Sequence, residues 1–231
     1  MISIAVSPHI VTACPSFVGA CLVANVVNTP FDAGLWQKIE DAQTQLRQTL
    51  TTETLKQMPS IAATRQVYKA LGKDPSRYRP ASEALIRRLL QGKKLYQANT
   101  LVDLINLASI AHGYSIGGFD ADKVVGTTLT LGVGKANEPY EGIGRGMLNI
   151  EGLPVYRDDL GGIGTPTSDN ERTKLTLDTL QLMVLINGYD GNEARVTENA
   201  RLISVLLREH CQSDGGHFFI FKPDNSNNTW E

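Results

Sequence analysis

Residues 99–113, NTLVDLINLASIAHG, separate two kinds of sequence. Leu101, Val102, Leu104, Ile105, Leu107 and Ile110 cover most of the circumference of a helix, which places it at the centre of the fold. Gly113 ends it at the position that tolerates a left-handed turn. Before this helix the chain is mainly helical. Leu35, Ile39, Ala42, Leu46 and Leu50 recur at helical spacing, Ile61 to Leu71 repeats the pattern, and Ser82 to Gln91 closes at Gly92. SFVGACLVANVVN (16–28) is the exception, a buried strand stopped by NTP. After the helix come short apolar runs punctuated by Gly, Pro, Asn and Asp: TTLTLGVG (127–134), LPVYRDDLGG (153–162) and QLMVLINGYDG (181–191). These are strands. One more helix fits Glu193 to His210, with Ala194, Leu202, Val205 and Leu206 inward, and HFFIF (217–221) closes the sheet. Helices and strands are segregated rather than alternating, which argues for an α+β fold over a doubly wound sheet.

The 231 residues are 42% hydrophobic and 20% charged, a balance that supports a real core and excludes general disorder. No repeat or linker marks a boundary, so a single domain over 1–231 is expected. No apolar run is long enough for a membrane span. Met1 to Val6 lack the features of a signal peptide, and the cytoplasm is the expected compartment. Cys14, Cys21 and Cys211 are odd in number and lack metal-ligand spacing, so buried thiols are expected rather than disulfides or zinc. No phosphate loop or nucleophile elbow occurs, and His9, His112, His210 and His217 sit in no recognisable motif. Neither a metal nor a cofactor is expected. The polar tail KPDNSNNTWE (222–231) reads as loosely held.

Charge is unevenly spread. Between Arg65 and Lys94 nine Lys and Arg stand against Asp74 and Glu83, in a chain whose formal net charge is −2. Nucleic-acid phosphates commonly use such an asymmetry, which makes Arg77, Arg79, Arg87, Arg88, Lys93 and Lys94 candidate RNA contacts. RYRP (77–80) sets two guanidiniums beside an aromatic ring in a segment stiffened by Pro75 and Pro80, an arrangement suited to phosphate forks or base stacking. The alternatives are solvated helix faces, with Glu83 and Arg87 paired one turn apart, or a buried ion pair that fixes the loop.

Two further features concern a pocket. Asp103 and Asn106 are polar groups in an otherwise apolar helix; Thr100 and Asp103 also have capping-box spacing, and a buried Asn ordinarily satisfies a backbone group. GGIGTPTSDNERTKLT (161–176) reads as a long polar loop, a natural pocket wall or a plain exposed connection. Gly162 and Gly164 there allow close backbone approach, and Thr165, Ser168, Asp169 and Glu171 offer hydrogen-bonding and charged groups.

Taken in order, RYRPASEAL (77–85), NTLVDLINLASIAHG with FDADK (119–123), and SDNERT (168–173) resemble the stand-alone relatives of the B3/B4 editing domain of the beta subunit of bacterial phenylalanyl-tRNA synthetase. The similarity runs from the early strand to the final helix. It implies a sandwich-like β core with helices packed outside it. It also implies a partner, tRNA or aminoacyl-tRNA, with the amino acid in a pocket, and hydrolysis of mischarged aminoacyl-tRNA in trans. A noncatalytic module that binds RNA or an amino acid is the alternative. Aminoacylation is not expected. The family's turn commonly carries a pocket histidine where GYSIGGFD (113–120) has Gly117. The expected pocket therefore lies where that turn meets the 161–176 loop. Gly117 and Gly118 line it, Asn106 and Asp103 form its floor, and Asp169, Glu171 and Ser168 position water or hold an ammonium group. Backbone N–H groups near Gly162 or Gly164 would receive the oxyanion.

Overall fold

The computed structural model describes residues 2–223; most of the polar tail, 224–231, lies outside the described residues. The chain runs β1 (Ser3–Val6), α1 (Pro8–Ala13), β2 (Val18–Asn25), α2 (Ala33–Thr49), α3 (Pro59–Ala70), α4 (Ala81–Leu90) and α5 (Thr100–His112). It continues β3 (Ile116–Asp120), β4 (Thr128–Val133), β5 (Glu141–Gly142), β6 (Gly146–Met147), β7 (Pro154–Asp158), β8 (Gly161–Thr165) and β9 (Ser168–Asp169). It finishes with β10 (Gln181–Gly188), α6 (Glu193–His210) and β11 (His217–Phe221).

The unbroken apolar run of β10 is explained by burial on both faces. Leu182, Val184 and Ile186 point into a cluster shared with α2, α4, α5 and α6, whereas Met183 and Leu185 point into one shared with Leu129, Leu131, Tyr156 and Ile163. The two clusters separate three layers. An antiparallel sheet in the order β11-β2-β10-β3 forms the middle layer, with helices on its outer face. A second sheet, β1-β4-β7-β8-β9, faces it across the inner cluster; β1 and β4 pair in parallel and the remaining strands antiparallel. The fold is α+β, a β sandwich with helices packed outside. All three cysteines are free and buried.

Three local expectations change. The α6 helix has the expected bounds, but its buried face is Val196, Asn199, Ala200, Ile203, Ser204, Leu206 and Leu207, while Ala194 and Val205 face solvent. Two polar residues belong to that face because they have partners. Asn199 Nδ2 donates to Ala108 O at 2.8 Å, and Ser204 Oγ donates to Gly215 O at 2.8 Å. At the start of α5 the cap is Asn99, whose side chain accepts from Val102 N, which leaves Asp103 for other work. Finally, GYSIGGFD and the 161–176 segment are largely strand: β3, and the β8–β9 hairpin followed by a 3₁₀ turn at 171–173. Their glycines thin the sheets where they meet rather than break them. A Cβ at Gly118 would lie 2.4 Å from Ile105 Cδ1, and one at Gly164 2.5 Å from Phe119 Cζ.

Candidate functional site

β3 and β9 approach one another beside α5, and a cavity of about 330 Å³ opens there. Val102 and Ile105 of α5, Ile116 of β3 and Leu175 form apolar walls; Asn106, Gly118, Lys174 and Asp169 add polar groups. Asp169 lies deep, yet its side chain remains reachable through the cavity. Gly118 N points at its Oδ2 from 3.4 Å, a weak contact. Oδ1 lies over two glycines, 3.4 Å and 3.0 Å from the positions a Cβ would take at Gly117 and Gly164. Burial with so little compensation pushes the Asp169 carboxyl up to about 7. Such a group changes charge near neutrality, as a general base must.

The other expected residues divide. Asn106 and Gly118 line the cavity with Asp169. Asp103 does not: it is buried behind the wall, where its Oδ2 accepts from Trp36 Nε1 at 2.8 Å and its Oδ1 from Ala98 N at 3.0 Å. Since Ala98 lines the cavity, Asp103 supports that wall indirectly. Gly117 and Gly164 both press on the Phe119 ring, and Gly162 presses on Tyr140, so these backbones receive protein side chains rather than open space. Thr165 holds the β8–β9 turn: its Oγ1 accepts from Thr167 N and Ser168 N and donates to Ser168 O. Ser168 opens into a different cavity, and Glu171 is ion-paired with Lys174. Arg172 takes no part beside Asp169; it forks onto Asp158 at 2.9 and 2.8 Å.

The basic stretch divides too. Glu83 is fully buried, and Arg65 and Arg87 each reach it at 2.8 Å, with Arg79 at 3.8 Å. Arg88 lies over the Tyr96 ring at 3.6 Å and donates to Lys94 O, and Lys94 pairs with Glu40 at 2.8 Å. Lys93 is exposed, and Arg77 lines the cavity into which Ser168 opens.

The order of these segments is reflected in comparison with known families: residues 63–205 match the B3/4 domain. The chain belongs to the B3/4 domain family. The matched B3/4 region holds every residue of the Asp169 cavity together with the buried Glu83 cluster. Among solved structures, an N-terminal fragment of the phenylalanyl-tRNA synthetase beta subunit from Pyrococcus horikoshii is similar at 15% identity with a TM-score of 0.48. The alignment covers 94% of this chain and 50% of that one, so the chain spans half the length of that fragment. No curated protein shows a significant match. Among the described residues no helix is long and apolar enough to cross a membrane, and no group of three or more His, Cys, Asp or Glu is placed to hold a metal ion.

Lys174, Ile143 and Phe119 were not picked out by sequence reasoning. Phe119 carries a signal in retrospect, an aromatic residue following two glycines in a strand, which marks close packing. Lys174 lies within the 161–176 segment read as a pocket wall, without being singled out there, and Ile143 reaches the cavity only through tertiary folding.

Proposed function

We propose that this chain binds aminoacyl-tRNA and hydrolyses the ester joining the amino acid to the terminal ribose, with the aminoacyl group seated in the Asp169 cavity. One observation carries the reading: a carboxyl raised to about 7, deep in a cavity whose remaining walls are mostly apolar. The apolar walls suit an amino-acid side chain. Ionised Asp169 takes a proton from water as its oxygen attacks the ester carbonyl. The carbon–oxygen bond to the ribose then breaks, and the ribose oxygen leaves with a proton. Gly162 and Gly164 do not line this cavity, so the developing oxyanion falls to donors that do: the Asn106 amide first, with the Lys174 ammonium, already paired with Glu171, beside it. Membership of the B3/4 family supports the aminoacyl substrate class, on the resemblance set out above.

A noncatalytic reading also has an observation behind it. Asp169 and Lys174, the latter shared with Glu171, place opposite charges at one small cavity, which complements the ammonium and carboxylate of a free amino acid. Incubation with a panel of mischarged tRNAs separates the two. Hydrolysis should exceed the spontaneous rate for at least one aminoacyl-tRNA, rise with pH to a plateau above about 7, and fall roughly 100-fold in Asp169→Asn. No ester loss across the panel, together with free amino-acid binding that Asp169→Asn abolishes, would leave only the binding module.

A further inference from the structure

The β8–β9 hairpin borders a second space. Ser168, the neighbour of Asp169, opens into a separate cavity of about 360 Å³ that Arg77 and Arg145 also line. These two cations come from distant segments. Among the described residues the arginines in ion pairs are Arg65, Arg79, Arg87, Arg157 and Arg172, so Arg77 and Arg145 converge on this cavity without a carboxylate to neutralise them. Beside them lies an apolar wall that includes Leu148 and the strongly exposed Met147.

Arg145 and Met147 belong to the β5–β6 hairpin, whose tip carries left-handed glycines at 144 and 146 (φ 64° and 68°). Ile143 on the same hairpin lines the Asp169 cavity. The hairpin is tied to β9 by Ile143 N, which donates to Asp169 O at 3.1 Å, and by a bridge between Gly142 and Asn170. One small flap therefore borders both cavities.

The chemistry of the second cavity is specific. Two unneutralised guanidiniums suit a phosphate, through charge-assisted hydrogen bonds that a fork geometry favours. An inorganic anion would leave the apolar wall unused, and an apolar ligand would leave the arginines unsatisfied. A group with a phosphate at one end and a flat, weakly polar ring at the other uses both. We propose that this cavity binds a nucleoside 5′-phosphate, with Arg77 and Arg145 on the phosphate, and that it seats the terminal nucleotide of an RNA whose aminoacyl group occupies the Asp169 cavity. The second half rests on the function proposed above; the nucleotide site itself does not.

Calorimetry on the full chain tests it with four probes: adenosine 5′-monophosphate, adenosine, inorganic phosphate and the 5′-phosphorylated trinucleotide CCA. The monophosphate should bind at least tenfold more tightly than adenosine or inorganic phosphate. The double variant Arg77→Gln/Arg145→Gln, changed only at exposed side chains, should melt as the parent does, weaken that binding at least tenfold and flatten its salt dependence. Asp169→Asn should leave nucleotide affinity unchanged. A trinucleotide that binds more tightly than the monophosphate identifies an RNA end as the occupant. Equal affinity keeps the nucleotide site and overturns the seating of an RNA terminus. Adenosine binding as tightly as its monophosphate, an unaffected double variant, or no nucleotide binding overturns the site. No ester cleavage is read, so a protein that deacylates nothing can still pass, and one that binds no nucleotide can still hydrolyse an ester.

Discussion

Glu83 and Asp169 are both carboxylates set inside protein, and they have opposite surroundings. Glu83 sits on α4 with no exposed side-chain surface and three guanidiniums around it. Asp169 sits at the end of β9 among glycines and the Phe119 ring, and among the described residues it makes no ion pair. The segment richest in charge thus spends much of it internally, on fixing α3, the RYRP loop and α4 to one another. The charge-poor, glycine-rich segment holds the carboxyl whose proton affinity is shifted. A compensated carboxylate is structural; an uncompensated one facing a cavity stores free energy that chemistry can use.

Removing Glu83 gives the largest expected effect. Glu83→Ala leaves Arg65 and Arg87, whose side chains are 14% and 17% exposed, without their counter-charge. Breaking a buried pair in this way costs about 3–5 kcal/mol, which in a chain of this size lowers Tm by roughly 10 °C. Thermal and urea melts measure it. A loss under about 1 kcal/mol would make the cluster an ordinary surface pair and erase the contrast with Asp169.

How much of this was legible follows the same division. Helix bounds were readable because α5 is a long apolar run closed by Gly113, α6 carries helical spacing, and both have clear ends: the expected Thr100–His112 and Glu193–His210 are the observed spans. The Glu83–Arg87 pair was readable because one helical turn brings the two together. Arg65, eighteen residues from Glu83, was not, because a long-range ion pair has no period. The glycine-rich strands were misread as turn and loop for a physical reason. Glycine usually marks a break, yet at Gly117, Gly118 and Gly164 its missing side chain makes room for Phe119 and Ile105 inside a sheet. Asp169, Asn106 and Gly118 were named as site residues and line one cavity; Ser168 opens into the other because neighbours on a strand face opposite ways.

Asp169→Asn sharpens the comparison from the other side, with a smaller effect of opposite sign. The folded-state pKa is raised from the ordinary 3.8 to about 7, so the folded chain holds this proton more tightly than the unfolded chain does. The stability this contributes is present below about 4 and is lost as pH rises through 7. The Asn variant lacks that loss. It should match the parent near pH 4 and exceed it above pH 7 by about 1–2 kcal/mol, discounted because solvent reaches the group through the cavity. Parallel stability curves for the two proteins between pH 4 and 9 would mean that the carboxyl titrates normally and that no strain is stored at the site.

The smallest expected effect concerns Arg79, the third guanidinium at Glu83. Its Nε lies 3.8 Å from Oε1, beyond hydrogen-bond length, and its side chain is 42% exposed, whereas Arg65 and Arg87 approach to 2.8 Å and are largely buried. Solvent screens the outer charge and two closer partners already compensate Glu83, so Arg79→Ala should cost no more than about 0.5 kcal/mol. Arg65→Ala should cost on the order of 2 kcal/mol, because it removes a hydrogen-bonded charge from a fully buried carboxylate. A double-mutant cycle with Glu83→Gln measures both couplings. If Arg79 couples as strongly as Arg65, the cluster is a closed structural knot and Arg79 has no charge to offer a partner. If it couples weakly, its guanidinium is free to meet a phosphate. On the function proposed above, Arg79→Ala should then weaken RNA binding and its salt dependence while leaving Tm within about 2 °C of the parent.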